Sequence, residues 1–285
     1  NAHGGAVYLN IGPQVGTAFS AVYLTLDADA DSYIRPTDAP TSITGGVAFG
    51  GIVNVANDGG TTQITTLSLA ADSYVQGPGN ALGGQVSYIQ NGGDVTIGNL
   101  YASAGAFGQA QLPGIANGAA QGGSIDVSFY GGDFTSTSVS LMAEAHAGIA
   151  ESGFSGPNIV PIAAGNGGVA IGGTAGLLVD TGSNGTVNIS ESLSVSANAT
   201  GGEGGTFTYF ASEGSGGLLD PGSGGLGEAG TAFVEFSSSE FNSGTVDVSA
   251  NGYGGDGGRL GYSTLPPTNG PDGTTAYGGQ GTGGD

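Results

Sequence analysis

The residues best placed for chemistry are a run of alternating carboxylates, Asp27-Ala-Asp29-Ala-Asp31, and a further acid, Asp72, in the similar phrase "LSLAADSYV". Side chains of an extended strand alternate between faces, so the three aspartates share one face and Leu24, Leu26, Ala28 and Ala30 the other. Three neighbouring carboxylates repel one another, and a hard, oxygen-seeking cation would relieve that repulsion. Asp27, Asp29 and Asp31, with Asp72 from an adjacent coil, are therefore candidate Ca2+ ligands. Alternation is equally compatible with a solvated acidic stripe, because it does not by itself wrap an ion in the roughly six to eight oxygens calcium takes.

Other chemistries lack their residues. The two histidines, His3 in "AHGG" and His146 in "EAHAG", have no evident partner acid and read as surface or loop residues. No Asp-Asp or Asp-Glu pair is adjacent in the sequence, so a glycosidase-type acid and base pair is not evident. There is no lysine, which removes phosphate-loop, Schiff-base and lysine-base chemistry. There is no cysteine, so disulfides, thiolate nucleophiles and zinc-thiolate sites are excluded. No cofactor is implied apart from Ca2+.

The charge balance decides partners. Against 23 acids stand two arginines, Arg35 and Arg259, for a formal net charge of -21. Such a surface repels nucleic acid and anionic lipid alike. The apolar stretch "IVPIAAGNGGVAIGGTAGLLV" at 159–179 is interrupted by Asn166 and many glycines, which predicts a loop and short strands and no membrane insertion.

The elements that position these residues are repeated. "LDADADSYI" at 26–34 superposes on "LSLAADSYV" at 67–75, and the phrase recurs at Leu100, Val139, Leu193 and Val246. Anchors at Leu26, Leu67, Leu100, Val139, Leu193 and Val246 stand 41, 33, 39, 54 and 53 residues apart. Sixteen residues before five of them another strand begins, at Gly51, Gly84, Gly123, Leu177 and Gly230. Each unit is an alternating strand, a tight turn such as "NDGG" or "QNGG", a second alternating strand, and a Gly-rich excursion of variable length. One such unit cannot bury its apolar face alone, so units must stack.

The fold expected is all-β: a right-handed parallel β-helix, or solenoid, of about six coils with variable Gly-rich loop excursions from one corner, over 1–285 as a single domain. A β-sandwich is the alternative. Ala197 and Ala250 should point into a narrowing corner, with Asn198 and Asn251 pointing outward or capping it. Both ends, "NAHGGAVYLN" and "AYGGQGTGGD", look like internal boundaries, which predicts continuation into further repeats or end-to-end stacking of subunits.

Strand starts of the GG-x-V-x-V type, phrases such as "GTVNIS" and "GTVDVSANG", and "GGEGG" or "GGDGG" exits resemble the Gly-rich β-strand repeats of large bacterial surface proteins of the filamentous-haemagglutinin and autotransporter-passenger adhesin type, over roughly 45–258. The resemblance implies an extracellular, elongated right-handed β-helix serving adhesion, biofilm or fibre formation at the cell surface. The partners expected are further copies or repeats of the chain itself and surface polysaccharide, and no catalysis is expected. The expectation from another class is a carbohydrate-active β-helix, a tailspike- or lyase-like depolymerase, with acids and stacked aromatics from neighbouring coils along one strand face.

Overall fold

A computed structural model describes the chain except residues 13–17, 34–45, 78, 110–117, 151, 157–158, 163, 183–184, 211–220, 238–239, 264–280 and 283–285; Arg35 falls outside the described residues. The described residues contain strands and no helix. Successive coils stack strand on strand, building three six-stranded sheets and one seven-stranded sheet, all parallel. This is a parallel β-helix of about six coils. The β-sandwich is excluded, because equivalent strands of successive units are hydrogen-bonded parallel neighbours.

Each coil passes through the four sheets in order. In the third coil these are Asn80–Leu82 in sheet I, Gln85–Gln90 in sheet II, Asp94–Ser103 in sheet III and Ala106–Gln109 in sheet IV. The sequence pattern identified sheets II and III and missed I and IV, whose strands are two to four residues long and carry too few positions to show alternation. Sheet I holds a seventh strand, Gly281–Thr282, paired with Gly227–Glu228, so the winding path goes on past the sixth coil.

Two corrections of register follow. The first anchor is Leu24, not Leu26: Leu24 pairs with Leu67 and Leu26 with Leu69. Matching "DSYI" to "DSYV" misplaced the first coil by two residues, and a slip of two keeps every side chain on its proper face, so alternation could not reveal it. In the fifth coil the residue equivalent to Gly123 is Gly173, not Leu177, which pairs with Val127. That coil has three more residues between Val179 and Val187 than its neighbour has between Phe129 and Phe134, and one more at a bulge before Ser192. Where spacing is constant the turn is too: Gly60, Gly93 and Gly132, with φ of 84°, 81° and 77°, stack in the left-handed conformation that glycine alone adopts freely.

The interior has two parts. Between sheets II and III lies a continuous apolar column that includes Val53, Leu67, Val86, Leu100, Ile125, Val139, Leu177 and Leu193. Phe129 and Phe134 meet there at 4.4 Å between ring centroids, with Tyr88 beside them. Between sheets I and IV the core is almost all alanine, including Ala30, Ala48, Ala81, Ala106, Ala145 and Ala199, since the two sheets close toward a corner with no space for larger side chains. Ala197, between sheets III and IV, is fully buried against the larger column, and Ala250 at the equivalent place of the sixth coil is partly buried against it.

The excursions leave from one corner, after sheet IV and before sheet I. In the last coils they also stack. Gly153–Gly156, Phe207–Phe210 and Leu260–Ser263 form a parallel ladder, with Ile159–Ile162 antiparallel at its edge. Beneath it, outgoing and returning glycine segments alternate: Gly202 donates to Gly168, Gly225 to Gly202 and Gly255 to Gly225, at 2.8–2.9 Å. The glycine that looked like loop composition is thus packed backbone. The segment 159–179 contributes the strands Ile159–Ile162, Ala170–Ile171 and Thr174–Val179, and no helix of the described residues is long and apolar enough to cross a membrane.

Candidate functional site

Two columns on the outside of the coil concentrate the polar and aromatic chemistry. The first runs along the corner between sheets III and IV. Register places Asp29, Asp72, Gly105, Glu144, Asn198 and Asn251 above one another, one per coil. Each side chain there reaches to the neighbouring coil. The Asp72 N–H donates to Asp29 Oδ1 (2.7 Å), the Gly105 N–H to Asp72 Oδ1 (2.5 Å) and the Asn251 N–H to Asn198 Oδ1 (2.8 Å). Glu144 accepts from Ser196 Oγ and Asn198 Nδ2. A strand ending at a corner leaves backbone N–H groups outside the ladder, and these carboxylates and amides satisfy them.

This geometry bears on the four proposed calcium ligands. Asp29 and Asp72 are brought together, with Asp27 beside them, while Asp31 lies two residues further on, over Tyr74. Asp27 Oδ1 accepts the Asp29 N–H, and Asp72 also takes the Ser103 and Tyr74 hydroxyls. Oxygens engaged by protein donors are poor starting ligands for an ion that takes about six to eight oxygens. Among the described residues no group of three or more carboxylate or imidazole side chains is arranged to hold a metal.

Burial, more than mutual repulsion, alters the protonation of the corner acids. Burial, reinforced by Asp72 and Asp27, pushes the Asp29 carboxyl up to about 6, against the pull of the Asp72 N–H. Burial likewise raises Asp72. A carboxyl raised in the folded state favours folding in its protonated form. Its contribution is fully present below the unfolded value of 3.8 and is lost as pH rises through about 6. Melting temperature is therefore expected to rise as pH falls from about 7.5 to about 5. Asp29→Asn, which copies Asn198 and Asn251, should raise the melting temperature at the upper end of that range and flatten the profile. An unchanged profile would show that the corner carries no such charge. Calcium is expected to leave the same melting curves unmoved.

The second column faces outward from sheet IV: Asp31, Tyr74, Phe107, His146, Thr200 and Tyr253 occupy equivalent positions. Tyr74 stacks on Phe107 with centroids 4.9 Å apart and planes within 13°, and Phe107 on His146 at 5.5 Å and 7°. His146 Nε2 lies 3.5 Å from Glu144 Oε2, so it has the partner acid that the sequence did not reveal; corner geometry brings them together. Hydrogen bonding from His146 first, then from Ser196 and Asn198, holds the Glu144 carboxyl below its usual value. His3 stacks on Phe49 (4.7 Å, 3°). Beside Tyr74 the surface forms a cleft of about 230 Å³, lined by Asp31, Gln76, Phe107 and Gln109 among others. The ring column is legible in the repeat, where Tyr74, Phe107 and His146 each stand seven residues after an anchor, Leu67, Leu100 and Val139.

A search of protein-family models, of curated proteins and of solved structures finds no match to this chain.

Proposed function

We propose that the chain is a structural and adhesive module of an extracellular bacterial surface filament or giant adhesin, joined end to end to further coils and acting without catalysis. One observation carries the proposal. The sixth coil leaves at its surface positions that interior coils bury: Phe236 is 60% exposed, Val246 51% and Val248 43%, against 0% for Val179, 1% for Leu193 and 0% for Val195 at the equivalent positions. On the first coil, Val7, Leu9, Phe19, Leu24 and Leu26 are likewise only partly covered. Among the described residues each face combines open strand edges in sheets II, III and IV with uncovered apolar side chains, the combination that templates pairing with another strand. In sheet III, whose edge among the described residues is the sixth-coil strand, a second copy would set Val246 over Leu24 and Val248 over Leu26; in sheet I it would meet Gly281–Thr282. The acidic flanks oppose sideways clumping. Sedimentation at rising concentration tests this: linear oligomers that lengthen on acidification or added salt support it, and a single monomer species throughout opposes it.

The stacked rings beside Asp31 favour a second reading, a polysaccharide-cleaving β-helix. Hydrolysis of a glycoside uses two carboxylates flanking the bond. Asp31 is the one carboxylate lining the cleft, which supports sugar binding more than cleavage. Release of reducing ends from a panel of bacterial polysaccharides would favour the enzyme.

A further inference from the structure

The ring column on sheet IV stops abruptly. Phe107 has a ring on either side, whereas Tyr74 has Phe107 on one side and, on the other, a coil whose equivalent residue is Asp31. The cleft lies against this end of the column, lined by Asp31 of the first coil, Tyr74 and Gln76 of the second, and Phe107 and Gln109 of the third. Its volume of about 230 Å³ lies below the roughly 300–1,000 Å³ of drug-sized pockets, and suits one small ring.

The electrostatics select the ring. Burial first, then the carboxylates of Asp72, Asp29 and Asp31, push the Tyr74 phenol up to about 12, so the ring stays neutral and sits in a negative field. The chain has no lysine and two arginines to answer that field. A positively charged ligand would gain from the field, and from the electron-rich face of Tyr74. A uronic acid would be repelled. Amide side chains at the rim match hydroxyl groups, which a simple alkylammonium lacks.

We propose that this cleft binds an amino-sugar residue with a free ammonium group, as in a glucosamine-containing polysaccharide: the apolar face of the pyranose lies on Tyr74, the ammonium pairs with Asp31, and Gln76 and Gln109 hydrogen-bond the hydroxyls. The site is a lateral one, independent of the terminal faces, and its success or failure leaves end-to-end association untouched.

Calorimetric titration with a β-linked glucosamine trisaccharide and with its fully N-acetylated form tests the proposal. The N-acetylated sugar, which keeps the pyranose rings but replaces each ammonium with a neutral, bulkier acetamide, should bind at least ~10-fold more weakly. Asp31→Asn, at an exposed position, should weaken binding of the free amine by ~10-fold, and Tyr74→Ala by a similar factor; Tyr74→Phe should bind as the parent does. Asp247→Asn, an exposed acid on the sixth coil, controls for diffuse attraction to a chain of net charge -21 and should change nothing. Equal affinity for both sugars, equal weakening by Asp31→Asn and Asp247→Asn, or no binding would each overturn the proposal. Asp31→Asn and Tyr74→Phe keep it decidable even if Tyr74→Ala does not fold.

Discussion

Gly202→Ala is expected to destabilise the protein by at least ~3 kcal/mol, whereas Gly5→Ala should change stability by less than ~0.5 kcal/mol. Gly202 lies in the outgoing segment of the fifth coil, donating to the Gly168 carbonyl at 2.9 Å and accepting from the Gly225 N–H at 2.8 Å. A Cβ at this position would stand 1.9 Å from the Gly148 oxygen and 2.8 Å from the Gly168 nitrogen. Both are backbone atoms held by neighbouring coils, so no rotamer change relieves the clash, and separating the segments breaks hydrogen bonds on each side. Gly5 has nothing within 4 Å of its Cβ direction. Denaturant unfolding of the two variants separates packing glycines from merely flexible ones. Equal stability would mean that the excursions are loose loops.

The second large effect concerns assembly. Val246→Lys combined with Val248→Lys should leave the fold in place, because both side chains are exposed on the terminal coil. Association should nevertheless weaken by at least ~100-fold: burying a valine stabilises by about 1.5 kcal/mol or more, and each ~1.4 kcal/mol is a factor of ten. Lysine is also a residue with which natural edge strands block pairing. Tyr101→Lys, at an exposed outward position of the third coil, should not affect association. Sedimentation of the three proteins at matched concentrations checks this. If the double variant associates like the parent, the terminal faces are not the contact.

The sequence carried the solenoid because burial repeats: Leu67, Leu100, Val139 and Leu193 could be aligned by eye, and they stack in the core as aligned. Ala197 and Asn198 were also legible, since a small residue followed by a short amide suits a corner. The first coil was misregistered because alternation is blind to a shift of two, and that error set Asp72 beside the wrong partner; Asp29, not Asp31, is its equivalent. Sheets I and IV were too short to show a pattern. Function was less legible. The corner acids looked like free ligands because a sequence does not show that the next coil's N–H groups lie within reach of Asp29 and Asp72. The stacked rings were visible as a shared slot, but only the fold shows that the column ends over a cleft.

End-to-end association is tested most directly by electron cryomicroscopy of the assembled protein. Six to seven strands per sheet at the strand spacing of about 4.8 Å predict thin, unbranched filaments in which subunits repeat every ~29–34 Å along the axis, with the strands running across it. Monodisperse particles at every concentration, or filaments joined through the lateral sheets with both terminal coils open to solvent, would contradict the account.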